Sequence, residues 1–235
     1  MTELRTALIA TLPEREATLH KALLSIRPQV DRIVVMMNGW GYEQANHFGL
    51  WCCMNLGEHM VFMLDNSLKD GAKFYYANAN EGYVVVIDDD IEYPPDFVER
   101  MIERVEFYQR KAVVSVMGKV LKPRPIESYY KDIERSYRTF EAVDKDADVE
   151  VIGTCGTVYH HSTCPDLNHT FFPGANSDIY ASRYLKERGI RGLVVAHSGD
   201  WLTNLMPELP EETYSIFGAY SENDKELTDV INQFL

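Results

Sequence analysis

Six short, almost unbroken apolar runs constrain this chain more than any other feature. They occupy residues 6–10, 33–37, 61–64, 83–87, 112–116 and 193–196. Each has the length of a strand, and each is apolar at odd and even positions alike. That is the pattern of a strand buried on both faces. Between the runs the period changes to that of a helix. Leu19, Leu23 and Ile26 recur at i, i+4 and i+7 ahead of Pro28. Phe97, Met101, Val105 and Tyr108 keep a helical spacing, i, i+4, i+8 and i+11, after Pro94-Pro95. Residues 178–188 read as a further helix stopped at Gly189. The alternation predicts an α/β fold, with a mostly parallel sheet and helices on both faces. With 235 residues, 46% of them hydrophobic, there is enough for one domain, or one domain with a small annex.

In such sheets ligands bind beyond the carboxyl ends of the strands, so the residues after each run are the candidates. Thr11-Leu12-Pro13-Glu14-Arg15 follows the first run. It reads as a plain strand-to-helix turn, or as one offering backbone N–H groups and the Arg15 cation to an anion. Asn38-Gly39 follows the second, either as a turn with Asn present for backbone reasons or with Asn38 bonding a base or ribose. After the third run, Asp70 and Lys73 belong to a solvated loop or reach a ribose and a phosphate.

The fourth run ends in Asp88-Asp89-Asp90, ahead of Pro94-Pro95. Three adjacent carboxylates at a buried strand end repel one another. Either they cap the helix that follows, or a hard divalent cation, Mg²⁺ or Mn²⁺, relieves the repulsion. Alternation along an extended chain would turn Asp88 and Asp90 one way and Asp89 the other. His197, after the sixth run, is a further ligand or an ordinary surface or core histidine. Asp178 opens a predicted helix as an N-cap or serves as a general base. His160-His161 is unsuited to zinc, because neighbours on a strand face opposite ways.

Composition narrows the partners. A formal charge of −13 argues against nucleic acid. An acidic protein that binds an anionic nucleotide needs local positive charge, which a divalent cation supplies. No window approaches the ~20 apolar residues of a bilayer span. Residues 1–5 lack the apolar core of a signal peptide, so a cytoplasmic protein is expected, with peripheral membrane contact left open. Cys52, Cys53, Cys155 and Cys164 form no CxxC pair. Vicinal Cys52-Cys53 reads as buried thiols in a reducing compartment.

Taken in order, these features resemble the GT-A fold glycosyltransferases, specifically the family-2-like bacterial and viral enzymes. The matching positions are residues 11–15, Pro28-Gln29-Val30-Asp31 with Asn38-Gly39, residues 70–74, Asp88-Asp89-Asp90 with Tyr93-Pro94-Pro95, Gly153-Thr154, the Asp178 helix, and Gly199-Asp200-Trp201-Leu202. The resemblance implies a Rossmann-like sheet in a single domain, 1–235. About 1–117 would form the nucleotide-sugar half and about 118–235 the smaller acceptor side. Thr11, Pro13, Arg15, Asn38, Asp70 and Lys73, with Asp88 and Asp89, would line the donor pocket. Asp88 and Asp90 would correspond to the D-x-D motif, with Asp90 touching Mn²⁺ or Mg²⁺ and His197 as a further ligand. Gly153-Thr154-Cys155-Gly156 would wall the transferred sugar, and Asp178 would be the base.

Two departures stand out. Ser177 precedes Asp178, where inverting members often carry paired acids. The stretch after Trp201 reads as a tail, which makes processive synthases poor templates. The implied reaction moves a sugar from a nucleoside-diphosphate donor, UDP-linked by resemblance, to a hydroxyl of a glycan or other acceptor, with inversion. The rivals are a retaining transferase, a nucleotidyltransferase, and a catalytically silent binding module.

Overall fold

The computed structural model describes residues 3–208 and 224–234. Each apolar run becomes a strand. In chain order the first six strands are β1 (Arg5–Thr11), β2 (Arg32–Asn38), β3 (His59–Leu64), β4 (Tyr83–Ile87), β5 (Ile91–Glu92) and β6 (Ala112–Ser115). They are followed by β7 (Gly118–Leu121), β8 (Ile133–Tyr137), β9 (Ala147–Val149), β10 (Val151–Ile152), β11 (Thr157–His160), β12 (Arg191–Val194) and β13 (Thr203–Asn204). The α-helices are α1 (Glu16–Ile26), α2 (Tyr42–Asn55), α3 (Phe97–Phe107), α4 (Ser177–Glu187) and α5 (Lys225–Phe234).

The main sheet runs β3-β2-β1-β4-β11-β6-β12-β9. Strands β3, β2, β1 and β4 pair in parallel, as do β6 and β12. β11 lies antiparallel between β4 and β6, and β9 closes one edge antiparallel to β12. The sheet is therefore mostly parallel, as the unbroken apolar runs require. Val84, Val85, Val86 and Ile87 are wholly buried, so β4 is covered on both faces.

Helices α1, α2 and α3 cover one face. Leu19, Leu23 and Ile26 of α1 are fully buried there with Phe48 and Cys52 of α2 and Phe97 and Met101 of α3. Burial of each large apolar side chain stabilises the fold by roughly 1.5–3 kcal/mol. The other face packs against Phe74, Phe172 and the α4 residues Tyr180, Tyr184 and Leu185. Among the described residues no helix is long and apolar enough to cross a membrane.

Two sequence expectations need correction. Cys52 is buried but Cys53 is exposed, with its sulfur 3.9 Å from His59 Nε2. Both sit on α2, where successive side chains lie ~100° apart, so one faces the core and the next faces water. The stretch after Trp201 is more than a tail. β13 pairs antiparallel with β5, and Leu227 and Ile231 of α5 bury themselves in a third core cluster with Leu121, Ile126, Tyr129, Val151 and Ile179. Leu227, Val230 and Ile231 follow the i, i+3, i+4 spacing of a helix with one apolar stripe.

Candidate active site

A cavity of about 340 Å³ lies beyond the carboxyl ends of β1, β2 and β4. Thr11, Arg15, Asn38, Asp70, Lys73, Asp88, Asp89 and Asp178 all line it. Pro13, Asp90 and His197 do not.

Pro13 shapes the first turn. With φ fixed by its ring, it opens a single 3-10 turn, Pro13–Arg15, in which Arg15 N–H donates to Leu12 O at 3.0 Å. That turn brings the guanidinium of Arg15 to the acidic triplet. Arg15 Nη1 lies 2.8 Å from Asp89 Oδ1 and 2.9 Å from Asp90 Oδ2. Burial raises the Asp89 carboxyl, opposed by Arg15 and by a hydrogen bond from Thr11. Burial, then Asp88 and Asp89, lift Asp90 to about 7 against the pull of Arg15 and Lys73.

The alternation expected across the triplet does not hold. β4 ends at Ile87, and Asp89-Asp90 form a turn. Asp89 and Asp90 therefore share one arginine, while Asp88 faces the cavity with its side chain one-third exposed. Lys73 Nζ donates to Asp88 Oδ1 at 2.6 Å and to Thr154 O at 3.3 Å. Burial pushes the Lys73 ammonium down, but Asp88 and Asp70 together hold it above the ordinary lysine range.

On the opposite wall, α4 carries Asp178. Thr154 N–H and Oγ1–H both donate to Asp178 Oδ1, at 2.8 and 2.7 Å. Asp70 Oδ2 accepts from Ser177 N–H at 2.8 Å and Ser177 Oγ–H at 2.6 Å, so Asp70 supplies a cap for α4 from a distant turn. Asn38 Nδ2 donates to Lys69 O at 2.8 Å. These two side chains each keep one buried oxygen without a hydrogen-bond partner, Asp70 Oδ1 and Asn38 Oδ1. Buried polar atoms are normally satisfied, so these two lining residues carry oxygens without a protein partner.

His197 stands apart from the triplet. It follows β12, whose place in the sheet is three strands from β4, a separation of about 14 Å at the usual strand spacing. Its backbone bridges to Val143, its Nδ1 lies 2.9 Å from Val195 O, and its ring packs near Trp201. Among the described residues no group of three or more His, Cys, Asp and Glu side chains could hold a metal ion. The ligand set Asp88, Asp90 and His197 is therefore not assembled. What is present fits a divalent cation differently. Carboxylates of Asp88 and Asp90 offer hard oxygens, and Mg²⁺-like ions commonly take one or two carboxylates and complete their shell with phosphate and water.

Sequence reasoning missed much of the acceptor-side wall. Asn66, Lys69, Met117, Lys119, Tyr130 and Asn176 also line the cavity. Lys119 and Tyr130 arrive through β7 and the loop beyond it, and β7 pairs with β10 and β8 rather than with the main sheet. No local pattern announces that pairing. The one available signal is the aromatic-rich stretch from Tyr129-Tyr130 to Phe140, which by sequence reads as acceptor surface, interface or core, with core the default. Tyr129 is indeed buried, yet it also contributes to the wall.

Comparison with known proteins bears on the fold. Residues 65–164 match the family described as "Glycosyl transferase family 2". No curated protein sequence matches the chain. Among solved structures, it is similar to the mannosyltransferase PcManGT from Pyrobaculum calidifontis, solved with GDP-Man and Mn²⁺, at TM-score 0.58 and 11% identity. That match covers 100% of this chain and 70% of the other. It is also similar to GalNAc-T7, solved with UDP, GalNAc and Mn²⁺, at TM-score 0.55 and 10% identity, covering 83% of this chain and 42% of that one. A third is TarS 1-349 of S. aureus, at TM-score 0.52 and 13% identity, covering 84% and 59%. At these identities the likeness concerns the fold, and the chain spans only part of each relative's length. The chain has the α/β fold of these GT-A glycosyltransferases, and its residues 65–164 match the family 2 glycosyl transferases.

Proposed function

We propose that this enzyme transfers a sugar from a nucleoside-diphosphate sugar, UDP-linked, to a hydroxyl of a glycan or other acceptor, with inversion and in the cytoplasm. The observation that carries the reading is one cavity flanked by the acidic triplet on one wall and by a half-engaged carboxylate, Asp178, on the other. The proposed unit is the whole chain, 1–235. About 1–117 supplies the donor side and about 118–235 the acceptor side.

Donor binding falls to the strand-end residues. Asn38 and Asp70 serve the base and ribose, and the N–H groups and charge around Thr11 and Arg15 serve the phosphates. Lys73 holds Asp88 in place. A divalent ion, Mn²⁺ or Mg²⁺, would be held by Asp88 and Asp90, and it would neutralise charge on the departing diphosphate. GT-A relatives solved with Mn²⁺ support this assignment.

Asp178 is assigned the base. Thr154 occupies Oδ1 with two hydrogen bonds, which fixes the carboxylate and leaves Oδ2 for the incoming hydroxyl. That oxygen takes the acceptor proton as the hydroxyl oxygen attacks the sugar opposite the leaving group, through an oxocarbenium-like state. Two measurements test the reading. Thermal unfolding with a panel of nucleotide sugars, with and without Mn²⁺, should show stabilisation by a UDP-sugar that grows with the metal. NMR of the first-formed product should show the anomer opposite to the donor's. A product with the donor's anomeric configuration rejects the inverting mechanism, and a flat ligand panel rejects the donor class.

A further inference from the structure

Four cationic and four acidic side chains line the cavity: Arg15, Lys69, Lys73 and Lys119 against Asp70, Asp88, Asp89 and Asp178. Arg15 and Lys73 are committed to the acidic triplet. Lys119 is different. It is partly buried on β7, and among the described residues no carboxylate lies within ion-pair distance of its Nζ. Among the described residues the close partners of its Nζ are aromatic faces. Nζ sits 4.0 Å from the ring centre of Tyr129 and 5.0 Å from that of Tyr130.

A partly buried ammonium without a counter-ion gives up some of its hydration. Two ring faces return a part of that, since cation–π contacts are worth less than a charge-assisted hydrogen bond. The cost is visible in the ammonium's own acidity. Burial holds it below the ordinary lysine range, with Asp178 pulling upward and Arg138 adding to the lowering. The ammonium also lies on the cavity, where it feels the charge of Asp178.

We infer that Lys119, backed by Tyr129 and Tyr130, reads an anionic substituent, carboxylate or phosphate, on the sugar that lies beside Asp178. This rests on the proposed glycosyl transfer, because Asp178 marks where transferred sugar and acceptor meet. The anion has two sources. It belongs either to the donor, as in a hexuronate, or to the acceptor. In the proposed function the donor's diphosphate meets Arg15, which is bonded to Asp89 and Asp90.

Binding measurements on the full chain in the presence of Mn²⁺ separate the sources. The donor arm compares UDP-glucose with UDP-glucuronate. The acceptor arm, at saturating UDP, compares glucose with glucuronate and glucose 6-phosphate. In one arm the wild type should prefer the charged probe by about tenfold or more, the worth of one charge-assisted hydrogen bond. Lys119→Gln should bring that preference to about twofold or less, and Lys119→Arg should keep most of it. Should Lys119→Gln not fold, the wild-type preference and Lys119→Arg still decide. Charge-blind binding by the wild type in both arms overturns the inference, as does a preference that survives Lys119→Gln. A wild type that binds neither UDP nor any nucleotide sugar overturns the transferase reading itself, and this inference with it.

Discussion

Lys73 Nζ lies 2.6 Å from Asp88 Oδ1, with the lysine buried and the aspartate facing the cavity. The pair joins the 3-10 helix Lys69–Phe74 to the end of β4, and a second bond from the same ammonium reaches Thr154 O. One cation thus fixes three segments around the ligand space.

Lys73→Met should cost about 3 kcal/mol, near the lower end for breaking a buried pair because Asp88 keeps partial access to water. Adding Asp88→Asn should recover part of that loss by removing the stranded charge. Urea unfolding of the two variants checks this. A loss under about 1 kcal/mol for Lys73→Met would show that the pair does not hold the site together.

Asp178→Asn preserves the shape of the side chain and both Thr154 contacts at Oδ1, but its amide cannot take a proton. Transfer should fall by ~10²–10⁴-fold, with donor affinity by calorimetry unchanged. Wild-type turnover in this variant would remove Asp178 from the role of base.

Asp146 gives a pH prediction. Burial works against its ionisation, but Ala196 N–H, Arg104 and Tyr108 outweigh it and hold the carboxyl below its ordinary range. Its oxygens accept from Ala196 N and Tyr108 Oη at 2.9 and 2.8 Å. A carboxyl lowered in the folded state stabilises the protein above its unfolded pKa of ~4, and that contribution disappears as pH falls through the folded value. Asp146→Asn should therefore lower the unfolding midpoint at pH 7 and flatten its decline below pH ~4. Parallel pH profiles of mutant and wild type would contradict the lowering.

Ile231 of α5 is fully buried against a cluster that includes Ile179, the neighbour of Asp178. Ile231→Ala should cost about 2–5 kcal/mol, transfer and cavity combined, by chemical unfolding. A cost below 1 kcal/mol would mean that α5 contributes little to the core.

The main sheet was legible because doubly covered strands must be apolar throughout, and the six runs say so residue by residue. Helices α1, α3 and α4 were legible from period. The site was readable only where it hangs on strand ends. Thr11, Asn38 and Asp88 line one cavity because parallel neighbours end at the same edge of the sheet. The rule failed at Asp89 and Asp90, where alternation was extended past the end of β4 into a turn. It failed again at His197, whose strand lies three places away. Lys119 and Tyr130 were illegible for a different reason. They depend on the pairing of β7 with β10 and β8, a contact between distant segments that no local period encodes. Helix α5 had the signal, in Leu227, Val230 and Ile231, but a ten-residue amphipathic stretch is short enough to pass for a tail.

The cap that Asp70 gives to Ser177 ties two separate parts of the cavity lining together. Asp70 and Lys73 share a 3-10 helix, and Ser177 is the residue before Asp178. The turn that holds Asp88 and the helix that carries Asp178 are thus clamped through one buried carboxylate, so a shift of either strains the hydrogen bonds of the other.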